Sequence, residues 1–131
     1  MSMDAPEDLL YSKDHEWVRK TSSEVVTIGV TEFAQNALGE VVYIGLPEVG
    51  MVVVASDQVA EVESTKSVSD IHSPLSGLVE TVNPEIAASP GKLNSDPYGE
   101  GWLFTIRITD SQELAALMKA EAYLDLTGAN L

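Results

Sequence analysis

Between Trp17 and Ile108 the chain is cut into short runs rich in Val, Ile, Thr and aromatic residues. Each run is stopped by turn residues before it reaches helical length. Trp17-Val18-Arg19-Lys20 and Val25–Val30 read as strands parted by the polar turn Thr21-Ser22-Ser23-Glu24. Further strands are expected at Val41–Ile44, Met51–Val54, Gln58–Glu63, Val68–His72, Gly77–Val82 and Trp102–Ile108. Many short strands with frequent turns describe a sandwich or a flattened barrel. A faint echo of Val41-Val42 and Pro47-Glu48-Val49 in Leu78-Val79 and Pro84-Glu85-Ile86 fits two similar halves. The midpoint between the two copies falls near residues 64 to 67.

Helical signals are brief inside this region and take over after it. Thr31 stands as an N-cap before Phe33, Ala34, Ala37 and Leu38, one face of a two-turn helix that Gly39 ends. Pro84 suits the first position of a short helix closed by Pro90-Gly91, and Asn94-Ser95-Asp96-Pro97-Tyr98-Gly99 is dense turn chemistry. Beyond it Asp110 and Glu113 form a capping pair, and Leu114, Leu117 and Met118 make an apolar stripe. A second helical stretch, Glu121–Leu126, runs to Gly128. The expectation is one mainly β domain over 1–131. Its β core covers about 16–108, with a short helix after the N-terminal strands and a helical C-terminal segment at about 110–127.

Composition narrows the chemistry. The 21 acidic residues against 7 basic ones give a net charge of −14, a field that repels nucleic acid and anionic membranes. The same field favours a monomer that docks on basic surfaces. The longest apolar runs, Met51–Ala55 and Leu114–Met118, fall far short of the roughly 20 residues a membrane span needs. The acidic start from Met1 to Asp8 resembles neither a secretory signal nor a transit peptide. A cytoplasmic protein is therefore expected, or a mitochondrial matrix protein if the chain is a processed organellar form. With 0 cysteines, any sulfur redox chemistry must come from an added group.

One lysine stands apart. Lys66 is the only basic residue between Lys20 and Lys92, and the strands on either side leave only Ser64–Ser67 to reverse the chain. Thr65 and Lys66 then occupy the tip of a hairpin, although the turn lacks the Asn-Gly or Gly that a tight primed turn prefers. A lysine there is a flexible stem ending in an amine open to acylation, and the small neighbours Ser64, Thr65 and Ser67 leave room for a modifying enzyme. Taken alone, a lysine in a surface turn is an ordinary feature. The histidines, His15 and His72, have no metal-ligand spacing. An acid–base pair of His15 and Glu16 is disfavoured because neighbouring strand residues face opposite ways. Trp17, Trp102, Phe104 and Tyr43 are assigned to the core, and Tyr98 to anchoring its loop.

The run Glu61-Val62-Glu63-Ser64-Thr65-Lys66-Ser67-Val68-Ser69-Asp70, followed by Ser73-Pro74-Leu75-Ser76-Gly77, resembles the lipoylation segment of glycine cleavage H proteins. Matching motifs are His15-Glu16-Trp17, Ile28-Gly29-Val30-Thr31, Leu38-Gly39-Glu40-Val41-Val42, Leu46-Pro47-Glu48, Asn94-Ser95-Asp96-Pro97-Tyr98 and Glu121-Ala122-Tyr123. Their order and spacing hold from about Leu10 to Leu126.

The resemblance implies a lipoyl/biotinyl-type barrel-sandwich hybrid with lipoic acid joined to Lys66 through an amide. It implies a carrier without catalysis of its own. Such a carrier takes the aminomethyl group of glycine from glycine decarboxylase (the P protein) to aminomethyltransferase (the T protein). It is reoxidised by dihydrolipoamide dehydrogenase (the L protein), after a lipoate-attaching enzyme has loaded it. The resemblance also implies a cleft where the loaded arm rests, with Glu16 and Asp70 meeting its amine. Some members have a histidine in that cleft where this chain has Ala37. Two neighbouring readings keep the modified lysine: a lipoyl domain or lipoyl relay serving 2-oxo acid dehydrogenases, and a biotin carrier. The second would flank its lysine with methionines, and here the neighbours are Thr65 and Ser67.

Overall fold

The computed structural model describes residues 5–128, so the acidic start at Met1–Asp4 lies outside the described residues. The strands in chain order are β1 (Leu10–Tyr11), β2 (Glu16–Lys20), β3 (Val25–Val30), β4 (Val41–Gly45) and β5 (Val52–Val53). They continue with β6 (Gln58–Ser64), β7 (Val68–His72), β8 (Gly77–Val82) and β9 (Phe104–Ile108). Four short α-helices join them: α1 (Glu32–Leu38), α2 (Pro84–Ala88), α3 (Lys92–Ser95) and α4 (Ala120–Thr127). A 3₁₀ helix covers Ser111–Ala116.

The strands form two antiparallel sheets, one ordered β1-β2-β3-β9-β8-β5 and the other β4-β6-β7. Alternation decides which side chains go inside. Val18, Val26, Ile28, Val79, Phe104 and Ile106 from the larger sheet meet Ile44, Val62 and Ile71 from the smaller one. Burial of each such side chain contributes about 1.5–3 kcal/mol, so the shared interior locks the sheets together as a flattened barrel-sandwich.

A second cluster closes one flank. Leu9, Tyr11 and Trp17 pack with Ala120 and Tyr123 of α4, and the Tyr11 and Tyr123 rings stack with centroids 4.7 Å apart. The Trp17 indole is fully buried and donates to the Pro97 carbonyl at 2.9 Å, which pins the Asn94–Gly99 loop onto β2. Tyr98 anchors that loop as expected, because its hydroxyl accepts from the Glu32 N–H at 3.0 Å.

The caps follow the sequence closely. Thr31 accepts from the Ala34 N–H, and Gly39 ends α1 at φ 81°, a conformation a side chain disfavours.

Several expectations change. Tyr43 is not in the core but 54% exposed, because a bulge at Val42 inserts an extra residue and turns Tyr43 to the solvent face. Asn94 and Ser95 end a short helix, α3, where sequence signals showed only turns. Asp110 does cap the next segment through the Gln112 N–H, but Glu113 does not reach back. Its carboxylate accepts instead from the Ser76 N–H at 2.7 Å and hydroxyl at 2.9 Å, and the segment is 3₁₀ rather than α-helical. The echoed segments also differ: Pro84–Ala88 is helical, whereas Pro47–Gly50 is not.

Gly29 pairs with Trp17 across β2 and β3, and a Cβ there would overlap the indole ring. Gly29→Ala is therefore expected to cost about 1–3 kcal/mol of stability by overpacking, read from urea unfolding midpoints. An unchanged midpoint would contradict this packing.

Candidate functional site

The hairpin between β6 and β7 resolves the puzzle of its missing glycine. Ser64 supplies the turn chemistry itself: its Oγ accepts from the Lys66 N–H at 3.3 Å and from the Ser67 N–H at 3.1 Å. The Ser64 N–H also donates to the Ser67 carbonyl at 2.8 Å, closing the loop. Thr65, Lys66 and Ser67 are all exposed at the tip. Thr65 donates its N–H to the Glu40 carbonyl at 3.0 Å, tying the tip to the segment that follows α1. Among the described residues no carboxylate forms an ion pair with the Lys66 ammonium. Its stem runs along Gly39, where an added Cβ would lie 3.4 Å from Lys66 Cε.

Beside the hairpin lies a cavity of about 330 Å³ bounded by α1, β7 and the loop before β2. Phe33, Ala34 and Ala37 form one wall, Ser67, Ser69 and Asp70 another, and Asp14 and His15 a third. The α1 face that the spacing marked is thus mostly cavity lining, and only Leu38 of that helix is buried. The i, i+4 spacing of Phe33 and Ala37 was the available signal, and it does not distinguish a core from a wall. Ala37 leaves this wall open where a larger residue would fill it.

His15 holds its position under constraint. Its φ is +71°, unusual for a residue with a side chain. Its N–H donates to Ser12 and its carbonyl accepts from Thr31, so the loop is fixed at both ends. The imidazole Nδ1 lies 2.8 Å from the Tyr123 hydroxyl, which in turn lies 2.7 Å from Thr31 Oγ1. The ring packs on Phe33 with centroids 4.8 Å apart. Burial lowers the imidazole pKa, outweighing the opposing pull of Asp14, which favours the neutral ring at neutral pH. Burial likewise pushes the Tyr123 phenol up to about 12. The cavity's fixed charges are therefore its carboxylates, Asp14 and Asp70.

Glu16 does not join them. It begins β2, is 1% exposed and lines a different cavity of about 360 Å³ with Tyr11, Ser12, Ser73 and Met118. The Asp14–His15 loop separates the two cavities, and Asp14 borders both. Ser12 Oγ donates to Glu16 Oε1 at 2.5 Å, and the His72 N–H donates to Oε2 at 3.4 Å. Burial raises its carboxyl to about 7, with Asp14 adding to the rise and the Ser12 hydroxyl opposing it. The geometry thus brings Asp70 to the Lys66 hairpin but not Glu16. Asp14, and not Glu16, borders the cavity beside Lys66.

The family model described as Glycine cleavage H-protein matches residues 9–129. A glycine cleavage system H protein of Micrococcus luteus is 53% identical over 123 residues, covering 93% of this chain and 96% of that one. One from Mycobacterium avium is 50% identical over 124 residues, covering 92% and 94%. The crystal structure of a glycine cleavage system H protein from Mycobacterium marinum superposes with a TM-score of 0.86 at 38% identity, covering 95% of this chain and 99% of that one.

The buried Glu16 makes a pH test of this arrangement. An unfolded carboxyl titrates near 4.5, so between that value and about 7 the folded protein binds more protons than the unfolded chain. Stability from this residue is present at low pH and declines as pH rises through that window, by roughly 3 kcal/mol at most. Glu16→Gln should be progressively more stable than the parent from pH 5 to pH 8, measured by denaturant unfolding. A difference that stays constant with pH would contradict the burial of a titrating carboxyl.

Proposed function

The chain belongs to the glycine cleavage H-protein family, and from that premise we propose that Lys66 is the residue that bears its lipoyl arm. The protein is a lipoyl carrier of the glycine cleavage system. The observation supporting Lys66 is its position: an exposed amine without an ion-pair partner among the described residues, at the tip of a hairpin rooted in a shared core.

The surroundings suit lipoic acid. Acylation removes the ammonium charge and leaves a neutral stem that lies over Gly39, where the missing side chain makes room. The adjoining cavity of about 330 Å³ opens beside Ser67, on the same hairpin, within reach of a group anchored at Lys66. When bound, the lipoyl group supplies the disulfide that this cysteine-free chain lacks, accepting a one-carbon unit and later being reoxidised. Phe33, Ala34 and Ala37 provide apolar surface that keeps water from an arm resting there. Asp70 and Asp14 face that space with the negative charge a terminal amine requires. His15, favoured neutral, shapes the wall without adding a repelling charge.

In this reading the protein itself is not an enzyme. Its partners are the P, T and L proteins and a lipoate-attaching enzyme, and the tether raises the effective concentration of the unit at each of their sites. The net charge of −14 favours docking on basic surfaces around those sites. We read the protein as cytoplasmic, as the matched relatives are bacterial.

Lys66→Arg is expected to block lipoylation and glycine cleavage while shifting stability by less than about 0.5 kcal/mol, because it exchanges one exposed cation for another. Intact mass after incubation with a lipoate-attaching enzyme and unfolding curves check both parts; a gain of one lipoyl mass by the variant would refute the assignment. Supplying biotin and its ligase instead should leave the parent protein unmodified. Asp70→Asn should leave lipoylation unchanged and shorten the lifetime of the aminomethyl-loaded carrier several-fold. An unchanged lifetime would remove Asp70 from the cleft.

A further inference from the structure

The Thr65 N–H of the hairpin tip is hydrogen-bonded to the Glu40–Val41 peptide, and that peptide is held from behind by the Asn94 side chain. Asn94, at the end of α3, makes hydrogen bonds with both sides of the α1–β4 turn. Its Oδ1 accepts from the Val41 N–H at 2.9 Å, and its Nδ2 donates to the Gly39 carbonyl at 2.8 Å and to Gln35 Oε1 at 2.9 Å. The Val41 N–H belongs to the same peptide plane as the Glu40 carbonyl. In a trans peptide the two groups point in opposite directions. One edge of the plane is therefore bound by Asn94, while the other accepts the Thr65 N–H at 3.0 Å. Asn94 makes no hydrogen bond to Lys66, yet it holds the peptide to which the neighbouring Thr65 is bonded.

The base of this device is rigid. The loop after Asn94 is held by the Trp17 bond to Pro97 and by the Glu32 bond to Tyr98, and Leu93 beside it is fully buried. The chemistry also demands an amide. One side chain must accept from Val41 and donate to Gly39 at once, which a carboxylate lacking a donor does not do. Gly39 at φ +81° turns the chain so that its carbonyl and the Val41 N–H converge on Asn94.

We propose that Asn94 is a positioning residue for the acylated lysine, holding the Lys66 hairpin in register through the Glu40–Val41 peptide. This rests on the assignment of Lys66 as the lipoyl site. A tip released from that peptide samples many orientations, so an enzyme acting on Lys66 meets the competent one less often and its apparent affinity falls. The residue thereby links the family's Asn94–Tyr98 segment to the lysine, though the two lie far apart in sequence.

The test compares variants matched in hydrogen bonding. Asn83 also makes three side-chain bonds, to the Glu100 and Trp102 carbonyls and the Glu85 N–H, but none touches the hairpin or the Gly39–Val41 turn. Asn94→Ala and the isosteric Asn94→Asp should speed amide hydrogen exchange at Thr65 by tenfold or more. Both should raise the KM for acylation of Lys66 several-fold, with kcat within about twofold of the parent. Asn83→Ala should lower global stability and leave the Thr65 exchange rate and that KM unchanged. Gln35→Ala, which removes one of the three partners, should shift both readouts in the same direction by less and serves if the Asn94 variants do not fold. Unaltered Thr65 exchange in the Asn94 and Gln35 variants, or an equal change in Asn83→Ala, overturns the proposal. Parent protein that is not acylated at all refutes the Lys66 assignment instead, while the exchange data still decide the role of Asn94.

Discussion

One apolar interior shared by two sheets is the constraint on which the rest depends. The β4-β6-β7 sheet has only three strands, and it keeps its shape because Ile44, Val62 and Ile71 are buried against the larger sheet. Its outer face carries Tyr43 and Val68 to solvent, and its β6–β7 hairpin turn projects Lys66. A carrier needs a mobile arm on an immobile root. The shared interior supplies the root, and the Ser64 hydroxyl with the Glu40 carbonyl extends that rigidity to the residues flanking the lysine.

The second organising element is the loop from Ser12 to Glu16. It closes on itself, with Ser12 accepting from the His15 N–H and donating its hydroxyl to Glu16. The unusual backbone at His15 lets one short loop present Asp14 and His15 to the cavity beside Lys66 while turning Glu16 inward. The two acids of this loop therefore live in different media. Asp14 is solvated and available to a cation, whereas Glu16 is sealed in a medium that favours its protonated form.

Much of this was legible in the chain. The strands at Val68–His72 and Gly77–Val82 have the bounds that their turn residues announced, and the Thr31 and Gly39 caps delimit α1 as their chemistry requires. The hairpin could be located by elimination, although what makes it turn is a serine hydroxyl, which ranks below glycine in any turn pattern. What stayed hidden depends on distant partners. Glu113 looks like a local capping residue and is instead satisfied by Ser76, and Tyr43 faces outward because of one extra residue opposite β6. Glu16 looks like an exposed acid until β2 is seen buried on both faces, and Asn94 looks like a turn former until Gly39 and Val41 close on it. Local propensity does not encode those meetings.

In the proposed function, one amine on a fixed hairpin carries the reactive group. Peptide mass spectrometry of the protein isolated from its native source tests this most directly. A lipoyl adduct is expected on the peptide containing Lys66 and on no other. A lipoyl group on Lys92, or a Lys66 peptide found bare in cells actively cleaving glycine, would contradict it.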